Sequence, residues 1–330
     1  MEDALFHALV EEAALAPSAH NTQPARWVVD GEQMHLGCAA EATLPVADPT
    51  DHDTLFGCGT ALEGMMIALS RHGLRADVHY GDGGVGHGVL ATVSVVGGGA
   101  TPDPLADWVT KRFTCRAGFS PVSTEQMRAL KSWARAAQDV RLITERDGLS
   151  ELSEQNDTLS LRWFRGSAFR QELMAWSRMS PRHPRWDHDG LNARALGLSR
   201  IEALAMPLIM KGPVFRGLRA MGLAQGLLSE RDKTLQVAGV CFLTVPQDMN
   251  PVEAGRLYYR RVLELTAMGF ATWPMSVIKD DAVTHADWLA RFGLKGQARI
   301  VACLRVGVPS GAAPERARRP IDEVIGPPPP

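Results

Sequence analysis

The sequence predicts an α+β fold made of two similar halves joined in one chain. Amphipathic helices and β-branched runs are mixed along it without a steady strand–helix–strand rhythm, which disfavours a doubly wound parallel sheet. The stretch Gly59 to Leu74 (GTALEGMMIALSRHGL) also matches Gly255 to Phe270 (GRLYYRRVLELTAMGF) in register. Gly59 falls on Gly255 and Gly73 on Gly269, while Leu62, Met66 and Leu69 fall on Tyr258, Val262 and Leu265. Internal similarity of this kind sets the architecture before any single element is read.

Each element follows from a local pattern. Ala4 to Leu15 places Leu5, Leu9 and Ala13 on one helical face, with Phe6 and Val10 alongside. A polar loop around Asn21 leads into a strand at Trp27-Val28-Val29. The helix from Gly59 ends at Gly73, suited to a left-handed cap. Gly81-Asp82-Gly83-Gly84-Val85-Gly86 fits G-x-G-x-x-G, but a dinucleotide fingerprint must open a helix, and a strand, Val89 to Val96, follows. Those glycines read as a hairpin connection.

The second half opens with Ser123…Gln126, a capping-box pair heading a helix over Thr124 to Ala137, and a strand follows over Val140 to Thr144. From there to Asp189 the chain reads as mostly helical and polar. Leu191 to Leu228 is rich in Met, Leu and Gly with basic residues between, and fits either a cover over a site or a helical hairpin in the core. Val237 to Val245 and Ala298 to Val308 read as strands. Between them Asn250 caps the second repeat helix, with Pro251 in its first position and Glu253 three beyond the cap. The predicted halves are residues 1–100 and 101–330, with a possible lid over 191–228. The tail is rich in Pro and Arg, and 320–330 is expected to be disordered.

Composition narrows the class. The chain has 330 residues, 45% hydrophobic and 22% charged, which supports a sizeable core. A net charge of -2 gives no reason to expect a nucleic-acid or anionic-membrane partner. Five scattered cysteines lack zinc or redox spacing, and free thiols fit a reducing cytoplasm. No apolar stretch reaches membrane-spanning length, and the N-terminus lacks a signal-peptide pattern. His183 and His188 near Asp187 and Asp189 do not make a metal-site spacing, and no serine nucleophile elbow is present.

Two short motifs carry the chemistry. Ala16-Pro17-Ser18-Ala19-His20-Asn21-Thr22-Gln23-Pro24 packs amide and hydroxyl groups into a loop stiffened by prolines, suited to a flat, hydrogen-bonding ligand. Arg112-Phe113-Thr114-Cys115-Arg116 puts Arg112, Thr114 and Arg116 on one side of an extended segment, where they can converge on one anion. Each charge-assisted bond there contributes about 1.5–3 kcal/mol.

Both motifs resemble signatures of the nitroreductase-type flavoproteins, Ala-Pro-Ser-x-x-Asn-x-Gln-Pro and Arg-x-Ser/Thr-x-Arg. The resemblance implies FMN as the cofactor, with Pro17, Ser18, His20, Asn21 and Gln23 against its ring. Arg112, Thr114 and Arg116 would hold the phosphate, joined by Arg316 and Arg318 of a basic C-terminal run, with Arg319 in reserve. Trp273-Pro274-Met275 would pass beside the flavin. His20 reads as fixing the loop rather than as an acid or base, and no side chain is obliged to be catalytic. Ala25-Arg26 departs from the aromatic-plus-basic pair usual in the family.

The motifs are complementary between halves. The first half has the Pro-Ser-x-x-Asn loop without the arginines, and the second has the arginines without the loop. One complete site can be assembled, so the resemblance implies one FMN per chain in a nitroreductase-like pseudo-dimer. Motifs and length resemble the mycobacterial Acg-type proteins in particular. Two functions follow from the resemblance. One is an NAD(P)H-dependent flavin oxidoreductase acting on a small electron-poor acceptor, as a monomeric pseudo-dimer or weak homodimer. The other is a lidded flavin storage, sequestration or sensing protein without turnover.

Overall fold

The computed structural model describes residues 2–326. Its elements run α1 (Asp3–Ala13), β1 (Ala25–Asp30), β2 (Gln33–Cys38), α2 (His52–Arg71), β3 (Leu74–Tyr80), β4 (Ala91–Gly98) and β5 (Phe119–Ser120). There follow α3 (Thr124–Ala136), β6 (Val140–Ile143), α4 (Arg146–Arg165), α5 (Ser167–Ala175), β7 (Ser177–Arg178), β8 (Leu191–Asn192), α6 (Arg200–Ile209), α7 (Gly212–Ala220), α8 (Leu223–Leu228) and α9 (Arg231–Leu235). The chain finishes with β9 (Gly239–Pro246), α10 (Pro251–Ala267), β10 (Ala271–Pro274), α11 (Ser276–Asp280), α12 (Ala282–Arg291), β11 (Ala298–Pro309) and α13 (Ile321–Val324).

The fold is α+β, and its two halves share one topology. The first sheet has the order β1-β2-β4-β3, and the second has β10-β11-β9-β6. Reading β6, β9, β10 and β11 as counterparts of β1, β2, β3 and β4 makes the two orders identical. Each half is then helix, two strands, helix, two strands, with α4 to α9 inserted between β6 and β9 of the second half and α11 and α12 between its β10 and β11. The main strand pairs of both sheets are antiparallel.

The halves meet where α2 crosses α10. A Cβ on Gly59 would lie 2.0 Å from the Val252 carbonyl oxygen, and one on Gly255 would lie 2.0 Å from that of Phe56. The register that pairs Gly59 with Gly255 also pairs Phe56 with Val252, so the contact is reciprocal, as at an interface between two symmetric copies. Gly73 and Gly269, which follow the two helices, both have positive φ, +72° and +82°. Val252, Tyr259 and Leu263 of α10 are buried in the core of the first half.

The two sheets differ in what covers them. In the first, β1 and β4 begin with buried and partly exposed residues in alternation, as expected when one face is solvated. In the second, β9 and β11 are buried almost throughout, because α3 and α10 cover one face and the inserted α4, with α11 and α12, covers the other. The Gly81–Gly86 segment joins β3 to β4 as a hairpin.

Each half is completed by chain from the other. After β4, Leu105, Ala106 and Val109 stay in the first core. The chain then crosses, so that Thr114 bridges Thr272 and β5 pairs with β11. After β11 the chain returns, so that Val324 enters the first core and Ile325 bridges Trp27. The expectation of disorder over 320–330 is therefore corrected for 321–325, which form α13 and its exit against β1; 327–330 lie outside the described residues.

Candidate functional site

A cavity of about 310 Å³ lies between the halves. The first half contributes Pro17, Ser18 and His20 from the polar loop and Phe56 from α2. The second contributes Thr114, Arg116, Tyr258 and the β10 end, Trp273, Pro274 and Met275. Trp163 of α4 and Phe169 of α5 close one side. Thr114 and Arg116 reach the cavity because the crossing segment lies beside β10, where the Cys115 amide donates to the Thr272 carbonyl at 3.0 Å. Trp273 stays in place under the Arg305 guanidinium, 4.3 Å above its ring.

The polar loop is held in an unusual backbone conformation. His20, Asn21 and Gln23 all have positive φ (45°, 55° and 53°), a region that non-glycine residues adopt at a cost. Side-chain bonds offset it. The Ser18 hydroxyl accepts from the Gln23 amide at 2.9 Å. Asn21 Nδ2 donates to the carbonyls of Gly190 and Ala317, both at 3.2 Å. Gln23 Nε2 donates to the His188 carbonyl at 2.8 Å, and its Oε1 accepts from the Arg319 amide at 2.9 Å. Asn21 and Gln23, expected against the ring, make their side-chain bonds within the protein. Their amides fasten the loop to the insertion and to the C-terminal return, and neither lines the cavity.

The predicted arginines fall into two groups. Arg116 lines the cavity, and among the described residues its guanidinium makes one hydrogen bond, a donation to the Ala195 carbonyl at 3.3 Å. Arg112, Arg316 and Arg318 cluster behind the loop. Arg112 and Arg318 both donate to the Leu15 carbonyl, at 3.2 and 2.9 Å, and Arg316 donates to the carbonyls of Thr110 and Arg112. Among the described residues, none of the four forms an ion pair with a carboxylate. Burial, followed by the charges of Arg112 and Arg316, pulls Arg318 down to about 9. Among the described residues, Arg112 Nε and Arg318 Nε are buried without a hydrogen-bond partner. Buried cations and donors left in this state are costly unless an anion completes them. Arg319, by contrast, is paired with Asp189 and Glu323.

Sequence reasoning missed another part of the cavity. Lys279 of α11 donates to both Asp53 oxygens at 3.0 Å and to Asp280. Burial lowers the Lys279 pKa, but the Asp53 and Asp280 carboxylates outweigh it and hold the ammonium above its ordinary value. Burial raises Asp280 to about 6, against the pull of Lys279. His20 is pushed down to about 4 by burial and by Arg116, so it is neutral at pH 7, and its Nδ1 is buried without a partner. Of the expected lid, 191–228, only Leu191 lines the cavity among the described residues; α6, α7 and α8 do not.

Fold and cavity together define a duplicated α+β protein with a cleft between its halves and a cluster of arginines without carboxylate partners, among the described residues, beside it. The chain is similar over nearly its whole length to one mycobacterial protein with a nitroreductase name, and over about a fifth of its length to another, Acg. It is 26% identical over 329 residues to the Mycobacterium tuberculosis H37Rv protein named "Putative NAD(P)H nitroreductase Rv3131", covering 95% of this chain and 88% of that one. It is 33% identical over 69 residues, 21% of each chain, to "Putative NAD(P)H nitroreductase acg" of the same strain. No protein-family model matches the chain. Among solved structures, the FMN and NADPH-dependent nitroreductase NfnB from Sphigopyxis sp. strain HMH is 19% identical, with a TM-score of 0.34, covering 68% of this chain and 98% of that one. The FMN-dependent nitroreductase NfnB from Mycobacterium smegmatis, in complex with NADPH, is 18% identical, with a TM-score of 0.33, covering 62% and 88%. At these scores the fold assignment rests on the chain's own topology.

Proposed function

We propose that the chain binds one FMN between its halves and works as an NAD(P)H-dependent flavin oxidoreductase on small electron-poor acceptors such as nitroaromatics or quinones. The observation that carries this reading is the set of four arginines without carboxylate partners, next to a cavity walled by aromatic side chains. That set fits a phosphate monoester attached to a flat ring. The nitroreductase names of the mycobacterial relatives support the same reading.

Bound FMN would supply the hydride and electron transfer, which no side chain here can perform. The chain's own residues supply the rest. Arg112, Arg316 and Arg318, with Thr114 and Arg116, would neutralise and orient the phosphate. Pro17, Ser18 and His20, with Trp273, Pro274 and Met275, would hold the ring. Asn21 and Gln23 keep the loop in its strained shape. Tyr258, Phe56 and Trp163 exclude water, and neutral His20 adds no charge beside Arg116.

The test is the visible absorbance of purified protein, before and after incubation with FMN, followed anaerobically after NADPH is added. Flavin bands that bleach with NADPH are expected. Absence of flavin bands after incubation overturns the assignment. Bands that bleach with dithionite and not with NADPH leave FMN binding in place and remove the reductase activity.

A further inference from the structure

The chain-average charge of -2 conceals a local excess. Residues 200–228 hold Arg200, Lys211, Arg216 and Arg219 against a single acid, Glu202. All four cations are exposed. None takes part in an ion pair or a side-chain hydrogen bond among the described residues, whereas many arginines elsewhere are paired. The same stretch exposes six large apolar side chains: Ile201, Leu204, Leu208, Met221, Leu223 and Leu227. Ile201 and Leu204 are each 80% exposed.

The helices explain why these side chains stay outside. Ala203 of α6 and Met210 just past its end are buried, and Ile201, Leu204 and Leu208 share the other side at helical spacing. Phe215 anchors α7, its ring 4.7 Å from the Arg170 guanidinium. On α8, Ala224 faces inward, while Leu223 and Leu227, four apart, face out. Small or single anchors thus hold the three helices to the body and leave their large aliphatic side chains in water.

We propose that α6 to α8 form a docking surface for an anionic lipid bilayer. Interleaved aliphatic side chains and unpaired cations are the composition of helices that lie in a membrane interface. Charge complementarity sets the choice of occupant. A second copy of the chain would bring the same unpaired cations face to face, which like-charge repulsion opposes. The exposed apolar side chains are all aliphatic or Met, whereas protein-binding hot spots favour Trp and Tyr. An acyl-chain boundary under a negative headgroup layer suits both halves of the pattern. The surface lies apart from the cavity, so this proposal and the FMN reading stand or fall separately.

Vesicle flotation of the intact protein tests it, with phosphatidylglycerol mixed into phosphatidylcholine against phosphatidylcholine alone. Partition onto the anionic vesicles alone is expected, weakening as salt is raised. Each cation near the surface is worth about fivefold in partition, so Arg216→Glu with Arg219→Glu should weaken it at least about thirtyfold. Ile201→Ser with Leu204→Ser should release the protein while its far-UV circular dichroism stays unchanged. No flotation with anionic vesicles overturns the proposal. So does a concentration-dependent dimer, abolished by the same serine pair, in a protein that ignores vesicles. Capture by acidic polypeptides without flotation assigns the surface to a protein partner and overturns it as well.

Discussion

Gly59 and Gly255 are counterparts in the repeat, and they touch: a Cβ built on Gly255 lies 3.0 Å from the Gly59 Cα. Each also faces the backbone carbonyl of the other half at a distance no side chain tolerates. Gly59→Ala and Gly255→Ala should therefore cost similar amounts, about 1–3 kcal/mol each, read by urea unfolding. The double variant should not be additive, because both substitutions wedge the same crossing. Full stability of either single variant would show that the crossing is looser than described.

Arg112→Ala and Arg318→Ala should each weaken FMN binding by about 10-fold to 150-fold, the worth of one charge-assisted bond. Equilibrium dialysis or the ratio of flavin to protein absorbance reads this. The same substitutions should leave the flavin-free protein as stable as before or stabilise it, because each removes a buried cation without a counterion. Unchanged FMN affinity in both variants removes the phosphate assignment.

Flavin content should be one per chain. The polar loop occurs in the first half and the arginine segment in the second, so the symmetry-related position has neither. Saturation at two FMN per chain, by titration against fluorescence, would contradict this.

Stability should fall as pH drops from 6.5 toward 4. His20 and His52 are both lowered to about 4 in the folded chain, by burial first, then by Arg116 and Arg299 respectively. Between those values the unfolded chain therefore binds two more protons, and unfolding is favoured as acid is added. Asp280, raised to about 6, acts in the opposite sense over about 4 to 6 and only partly offsets the histidines. His20→Gln should flatten the dependence and Asp280→Asn should steepen it. A stability profile in His20→Gln that tracks the parent would rule out a neutral buried His20.

Much of this was legible in the sequence, because it depended on short-range pattern. The repeat helices show through Gly59, Gly73, Gly255 and Gly269, each needed for close approach or a left-handed end. Ser123 and Gln126 form their capping box as read. Pro17, Ser18 and Thr114 could be singled out by motif. The rest depended on long-range partners. Asn21 and Gln23 are occupied by residues 190, 188, 317 and 319, and no local pattern reveals that. Lys279 meets Asp53 across 226 positions, and neither is distinctive alone. Residues 321–325 read as tail because proline and arginine surround them, yet Ile321, Val324 and Ile325 pack against the first core.

The exchange of segments between halves has a consequence for how such a chain can change over generations. In an assembly of two identical subunits every substitution is expressed twice, so damage at one site is damage at both. Here a substitution is expressed once. One half can do without the arginines and the other without the loop, and the α4 to α9 insertion sits in the second half alone. The crossing arms, by binding each half into the other's core, keep the unequal partners from drifting apart.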